Sequence, residues 1–146
     1  MLALDPADAG VTPSRELPHV WGAVLDTGYG KEVATLVSLA DGTTSLYTTT
    51  GLTIIGGGGH EQVVDATKQF LIAVEAGLDA FASEPDASLP ADGDCVIRAL
   101  TFDGQRSVSG REDDFGYGRH PLSSVFHSGQ AVITELRLLT EAREGK

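Results

Sequence analysis

The chain has little of what staples a small protein or carries one into a membrane. It has one cysteine among 146 residues, Cys95, so no intramolecular disulfide can form. No apolar run approaches the roughly 20 residues that cross a bilayer. The N-terminus, Met1-Leu2-Ala3-Leu4-Asp5-Pro6-Ala7-Asp8, lacks the basic start and apolar centre of a secretory signal. Together these absences predict a reducing, cytoplasmic setting. Positive charge is also scarce: 10 Lys and Arg stand against 21 Asp and Glu, for a formal net charge of -11. That balance argues against nucleic-acid backbones and anionic membranes, both of which recruit cations.

What is present suits one domain. With 41% hydrophobic residues and a mean hydropathy of -0.01, a chain of this length buries a core without disulfides or metals. The acidity is uneven. Residues 1–60 hold two basic and six acidic groups, residues 61–94 one and eight, and residues 95–146 seven and seven. Most of the excess therefore sits on one helix and its linker, where it reads as a solvated face.

Residues 1–17 mix Pro6, Gly10, Pro13 and charges without periodicity and predict a flexible N-terminal arm. A single α+β domain is expected over 18–142, with a frayed tail at 143–146. Val20 to Thr27 reads as a strand ended by Gly28-Tyr29-Gly30, and Val33, Thr35, Val37 and Leu39 alternate along a second. Asp41-Gly42 then predicts a hairpin to a third strand, Thr43–Thr50. Leu52-Thr53-Ile54-Ile55 either extends that strand across a bend or forms a separate one.

Four glycines, Gly56 to Gly59, lead into a helical stripe of Val63, Ala66, Phe70, Val74 and Phe81, which predicts a helix over about Glu61–Ala82. After an acidic, proline-bearing loop, Cys95–Phe102 and Gln105–Ser109 form a second hairpin around Asp103-Gly104. A polar loop from Glu112 to Pro121 precedes a last helix to about Glu141, with Pro121 suited to its first position. The expected fold is thus α+β: an antiparallel sheet of about five strands, in the order β-β-β-α-β-β-α, with two amphipathic helices on one face. This order of elements is similar to that of profilin-like and roadblock-type domains, which implies an interaction or dimerisation platform. No residue motif carries that similarity, and the leading helix of the roadblock type has no counterpart in residues 1–17.

The glycine run invites an anion-binding reading, because backbone N–H groups converge at a helix start. The specific phosphate motifs are missing. Gly59 is followed by His60 and Glu61 where a P-loop needs Lys and Ser/Thr, and Glu61 stands where a dinucleotide fingerprint needs its third glycine. His60, His120 and His127 carry metal-ligating atoms, but His60-Glu61 lacks a second histidine at helical spacing. No metal and no cofactor are expected. Cys95 has no neighbouring histidine, and no serine sits in a Gly-x-Ser-x-Gly elbow, so no catalytic residue is nominated.

The richest segment is Asp114-Phe115-Gly116-Tyr117-Gly118-Arg119-His120. If it meets the glycine run, Gly57, Gly58, Gly59, His60, Tyr117, Arg119 and His120 form a ligand-binding spot of local positive charge. The leading expectation is a non-enzymatic interaction or small-ligand-binding domain, with a homodimer or another protein as partner and neither nucleic acid nor membrane. The alternative is an enzyme or anion-binding protein at that junction. Whether catalysis occurs is left open.

Overall fold

A computed structural model of the chain describes residues 15, 17–40, 44–49, 51, 53–56, 61–81, 92–102, 104–120 and 122–144. Most of the expected arm, and the glycines and histidine at 57–60, lie outside these residues. The expected tail begins inside the last helix, which runs to Glu144.

The fold is α+β, with six strands: Val20–Tyr29 (β1), Glu32–Leu39 (β2), Thr44–Thr48 (β3), Thr53–Gly56 (β4), Asp94–Thr101 (β5) and Gly104–Arg111 (β6). All neighbours are antiparallel, in the order β4-β3-β2-β1-β5-β6. The residues around Ile54 form a strand of their own, with Leu46 opposite Ile54, which adds one strand to the expected sheet. β1 runs through Gly28 and turns only at Gly30-Lys31, because Gly28 stays in register opposite Val33 while Gly30 supplies the positive φ of 64°.

Alternation along the strands divides the sheet into two faces. Ala23, Leu25, Leu36, Leu46, Cys95, Ile97 and Ala99 join one buried cluster with the apolar residues of the helices. The helices are Glu61–Ala76 (α1), Glu112–Gly116 (α2) and Ser123–Glu144 (α3). None of the described helices is long and apolar enough to cross a membrane.

α1 and α3 pack antiparallel. Gly129 of α3 lies against Phe70 of α1, and Gly77, just past the end of α1, lies against Leu122 at the start of α3. Both contacts favour glycine, since an added Cβ would stand 2.8 Å from Leu25 Cδ2 at Gly129 and 2.7 Å from Leu122 Cδ2 at Gly77 and would push those side chains aside. Gly77 also ends α1 earlier than the apolar stripe predicts; a 3-10 turn over Leu78–Ala80 carries the remaining apolar positions. Glu75 ties the start of β1 to the last turn of α1. Its carboxylate accepts the N–H groups of His19 at 2.8 Å and Val20 at 3.0 Å and faces the His19 ring at 3.0 Å. Burial pushes the Glu75 pKa upward, but these bonds outweigh it and hold the carboxyl below its ordinary value.

The second face holds a smaller cluster of Trp21, Val24 and Leu100, with Val37, Leu39 and Phe102 beside it. A register shift between Val20 and Gly22 brings Trp21 to this side, where its Nε1 donates to the Thr101 carbonyl at 3.1 Å. Next to the cluster, Arg98 donates to Asp26, and Thr35 Oγ1 donates to the other carboxylate oxygen at 2.5 Å. Both charged side chains are buried.

Candidate functional site

The nominated segment is built on the end of β6. Where a polar loop was expected, Glu112 to Gly116 form a short helix. Glu112, Asp113 and Asp114 fall in its first turn, where negative charge suits the exposed N–H groups. The Glu112 N–H donates to the Gly93 carbonyl at 2.8 Å, which fixes where the helix leaves the sheet. Phe115 is its anchor: fully buried, it stacks on His120 with ring centroids 4.1 Å apart and on Phe126 of α3 at 5.5 Å. Gly110 of β6 is the floor of this stack. A Cβ there would lie 3.1 Å from Phe115 Cε2 and 3.4 Å from His120 Cδ2, so a side chain at this position would lift the rings off the strand by a few tenths of an ångström.

From α2 the chain turns sharply. Tyr117, Gly118 and Arg119 donate their N–H groups to the carbonyls of Asp113, Phe115 and Asp114 at 2.9, 3.3 and 2.9 Å. Gly118 supplies the positive φ of 77° that closes the turn. His120 then locks the start of α3. Its Nδ1 accepts the Leu122 N–H at 3.0 Å, while its own N–H donates to Ser123 Oγ at 3.2 Å. An Nδ1 that accepts a backbone N–H places the ring proton on Nε2 in a neutral imidazole. Burial lowers the His120 pKa, against a smaller upward pull from the Asp114 carboxylate.

The polar tip of the turn faces solvent. Tyr117 is 75% exposed, and the Arg119 guanidinium carbon lies 5.3 Å from its ring centroid. Arg119 Nε is also 3.3 Å from Asp114 Oδ1, a mostly exposed pair. Tyr117, Arg119 and His120 therefore form one unit in which the arginine's charge has a partner and the neutral histidine supplies none.

The glycine run is placed differently. Gly56 ends β4, at one edge of the sheet, whereas Gly110 and the Phe115–His120 stack lie on β6, at the other edge. Five interstrand spacings, about 24 Å in all, separate those edges. Gly57, Gly58, Gly59 and His60 lie outside the described residues. Among the described residues, no group of three His, Cys, Asp or Glu side chains is arranged to hold a metal ion.

Cys95 lies opposite Gly110 and is fully buried. Burial, followed by the nearby Glu112 and Asp94 carboxylates, pushes its pKa from 9.0 up to about 12. A shift of that size cuts the thiolate fraction at mildly alkaline pH by about a thousandfold. Ellman's reagent should therefore label Cys95 in the folded chain at least about a thousandfold more slowly than in urea-unfolded chain. Comparable rates in the two states would show that the thiol is accessible and ionised.

Two features of this region lay outside the sequence reading. Phe115 was one aromatic in a polar stretch, with no periodicity to mark it as an anchor. Asp26 and Arg98 sat in strands read only for their apolar residues; a lone charge of each sign amid two such strands is the signal that pairs them. Comparison of the chain with protein-family models, with curated proteins and with solved structures finds no match.

Proposed function

We propose that this chain is a non-enzymatic interaction domain that presents Tyr117 and Arg119 to a protein partner, a second copy of itself being one such partner. The observation that carries the reading is the 75% exposure of Tyr117 on a turn closed by three backbone hydrogen bonds. Tyrosine and arginine are the residue types that most often anchor protein interfaces. A ring already held by its own turn and by a cation over its face loses little conformational freedom on binding. Buried Phe115 and neutral His120 fit this reading as supports for the presented pair. The enzyme or anion-binding alternative gains less support, because Arg119 is paired with Asp114 and Gly56 belongs to the far edge of the sheet. A cytoplasmic setting is part of the proposal and agrees with a single cysteine held as a buried thiol.

The test is affinity capture from the host's soluble extract with the wild-type chain and with Tyr117→Ala and Arg119→Ala, alongside light scattering of each. Both substitutions should reduce retention of a specific partner, or self-association, by about tenfold or more, the size expected of an interface anchor. Their circular dichroism should match the wild type. Identical retention and mass for all three proteins would remove the reading.

A further inference from the structure

We infer that the His120 imidazole is an acid-sensitive latch on the entry to α3, holding the Leu122 N–H while neutral and releasing it when protonated. The functional meaning of this latch, control over the Tyr117–Arg119 surface, rests on the reading proposed above; the latch itself rests on geometry. Nδ1 accepts the Leu122 N–H at 3.0 Å. An imidazolium has a donor on each nitrogen and no acceptor, so protonation sets an N–H against an N–H at the first residue of the α3 entry. The ring is also stacked at 4.1 Å on buried Phe115 and rests over Gly110, so a charge placed on it would be partly desolvated on that side. Losing that bond leaves the Leu122 N–H without its acceptor and loosens the entry to α3, which adjoins the Tyr117–Arg119 turn.

The charged and titratable groups around the ring come from each packed element. α2 contributes Glu112, Asp113 and Asp114, of which Asp114 favours the protonated ring; the turn contributes Arg119, engaged with Asp114. Beyond Gly110 on β6 stands Arg111, paired with Asp94 of β5 at 2.8 Å, and opposite Gly110 is the un-ionised thiol of Cys95. From α3, the His127 ring meets Phe126 edge-on at 5.8 Å. Burial outweighs Asp114, so the folded pKa lies below 6.5. A depressed folded pKa means that the stability the neutral ring contributes is complete above 6.5 and is lost as pH falls through the folded value.

The test is a titration of the full chain by NMR from about pH 7.5 to 5, the range in which histidine changes charge, following the histidine ring protons and the backbone amides. The His120 midpoint should fall below 6.5, and the Leu122, Arg119 and Tyr117 amides should shift with that same midpoint. Exchange protection at Leu122 should drop by about tenfold or more across it. In His120→Asn, whose Oδ1 can stand where Nδ1 accepts and which cannot titrate, the response at Leu122 should flatten. The latch is overturned if the Leu122 and Tyr117 amides pass through the His120 midpoint unchanged, or if far-ultraviolet circular dichroism shows the whole fold lost there. The wild-type titration decides the matter even if the variant does not fold. If the latch titrates as described and Tyr117→Ala retains every partner, only the functional reading falls.

Discussion

Asp26→Ala should destabilise the chain by about 3–5 kcal/mol, measured by urea unfolding, because it leaves the Arg98 guanidinium charged in a dry place. The two side chains are only 3–4% exposed, Arg98 donates to Asp26, and Thr35 Oγ1 donates to it at 2.5 Å. An ion pair on open surface contributes at most about 1 kcal/mol, so the burial decides the size of the effect. Arg98→Ala should cost a similar amount by stranding the carboxylate. The joint replacement Asp26→Leu with Arg98→Met should recover most of the loss, since desolvating the pair offsets much of its attraction. A single-variant loss below about 1 kcal/mol would mean that water reaches the pair and that this face of the sheet is open.

Phe70→Ala is expected to be comparably damaging, at about 3–5 kcal/mol and a fall in melting temperature on the order of 10 °C. Phe70 is fully buried where α1, α3 and β1 meet, and its ring carbons Cε1 and Cζ lie 3.2 and 3.4 Å from where a Cβ on Gly129 would stand. Leu25 closes the same junction from the sheet. Alanine removes the ring, and the close approach of the helices at Gly129 leaves no side chain there to move into the space. Tyr117→Ala, by contrast, should change stability by less than about 0.5 kcal/mol, as for other exposed positions. Thermal unfolding of both variants by calorimetry makes the comparison, and a mild Phe70→Ala would show that the junction can collapse.

How much of this was legible beforehand follows from the range of the forces involved. The alternation at Val33, Thr35, Val37 and Leu39, and the Asp103-Gly104 pair between two strand-like runs, are local signals, and the hairpins they predict are present. The helical stripe from Val63 to Val74 is likewise local, and Val63, Phe70 and Val74 are buried with Ala66 partly so. The errors occur where a contact distant in sequence overrides a local pattern. α1 stops at Ala76 although Leu78 and Phe81 continue the stripe: it ends at Gly77, a poor helix former that packs against Leu122, 45 positions along the chain. Glu112–Gly116 is helical although its sequence is polar and short, because Phe115 has a seat between Phe126 and Gly110 and the Glu112 N–H has the Gly93 carbonyl.

By itself the sequence determined most of the elements and their order along the chain, a single cysteine, and a net charge of -11. These depend on side-chain volume, backbone preference and charge within a few residues, which the chain states directly. Only the tertiary structure decided which strands became edges. It put Gly56 on one edge of the sheet and the Phe115–His120 stack on the other, turned His120 into a neutral acceptor for Leu122, and joined Asp26 to Arg98 across 72 positions. The reason is that strand order and burial are settled by pairing and packing over the whole chain, and desolvation, which sets the charge state of a histidine and the cost of a lone carboxylate, exists only once that packing is complete.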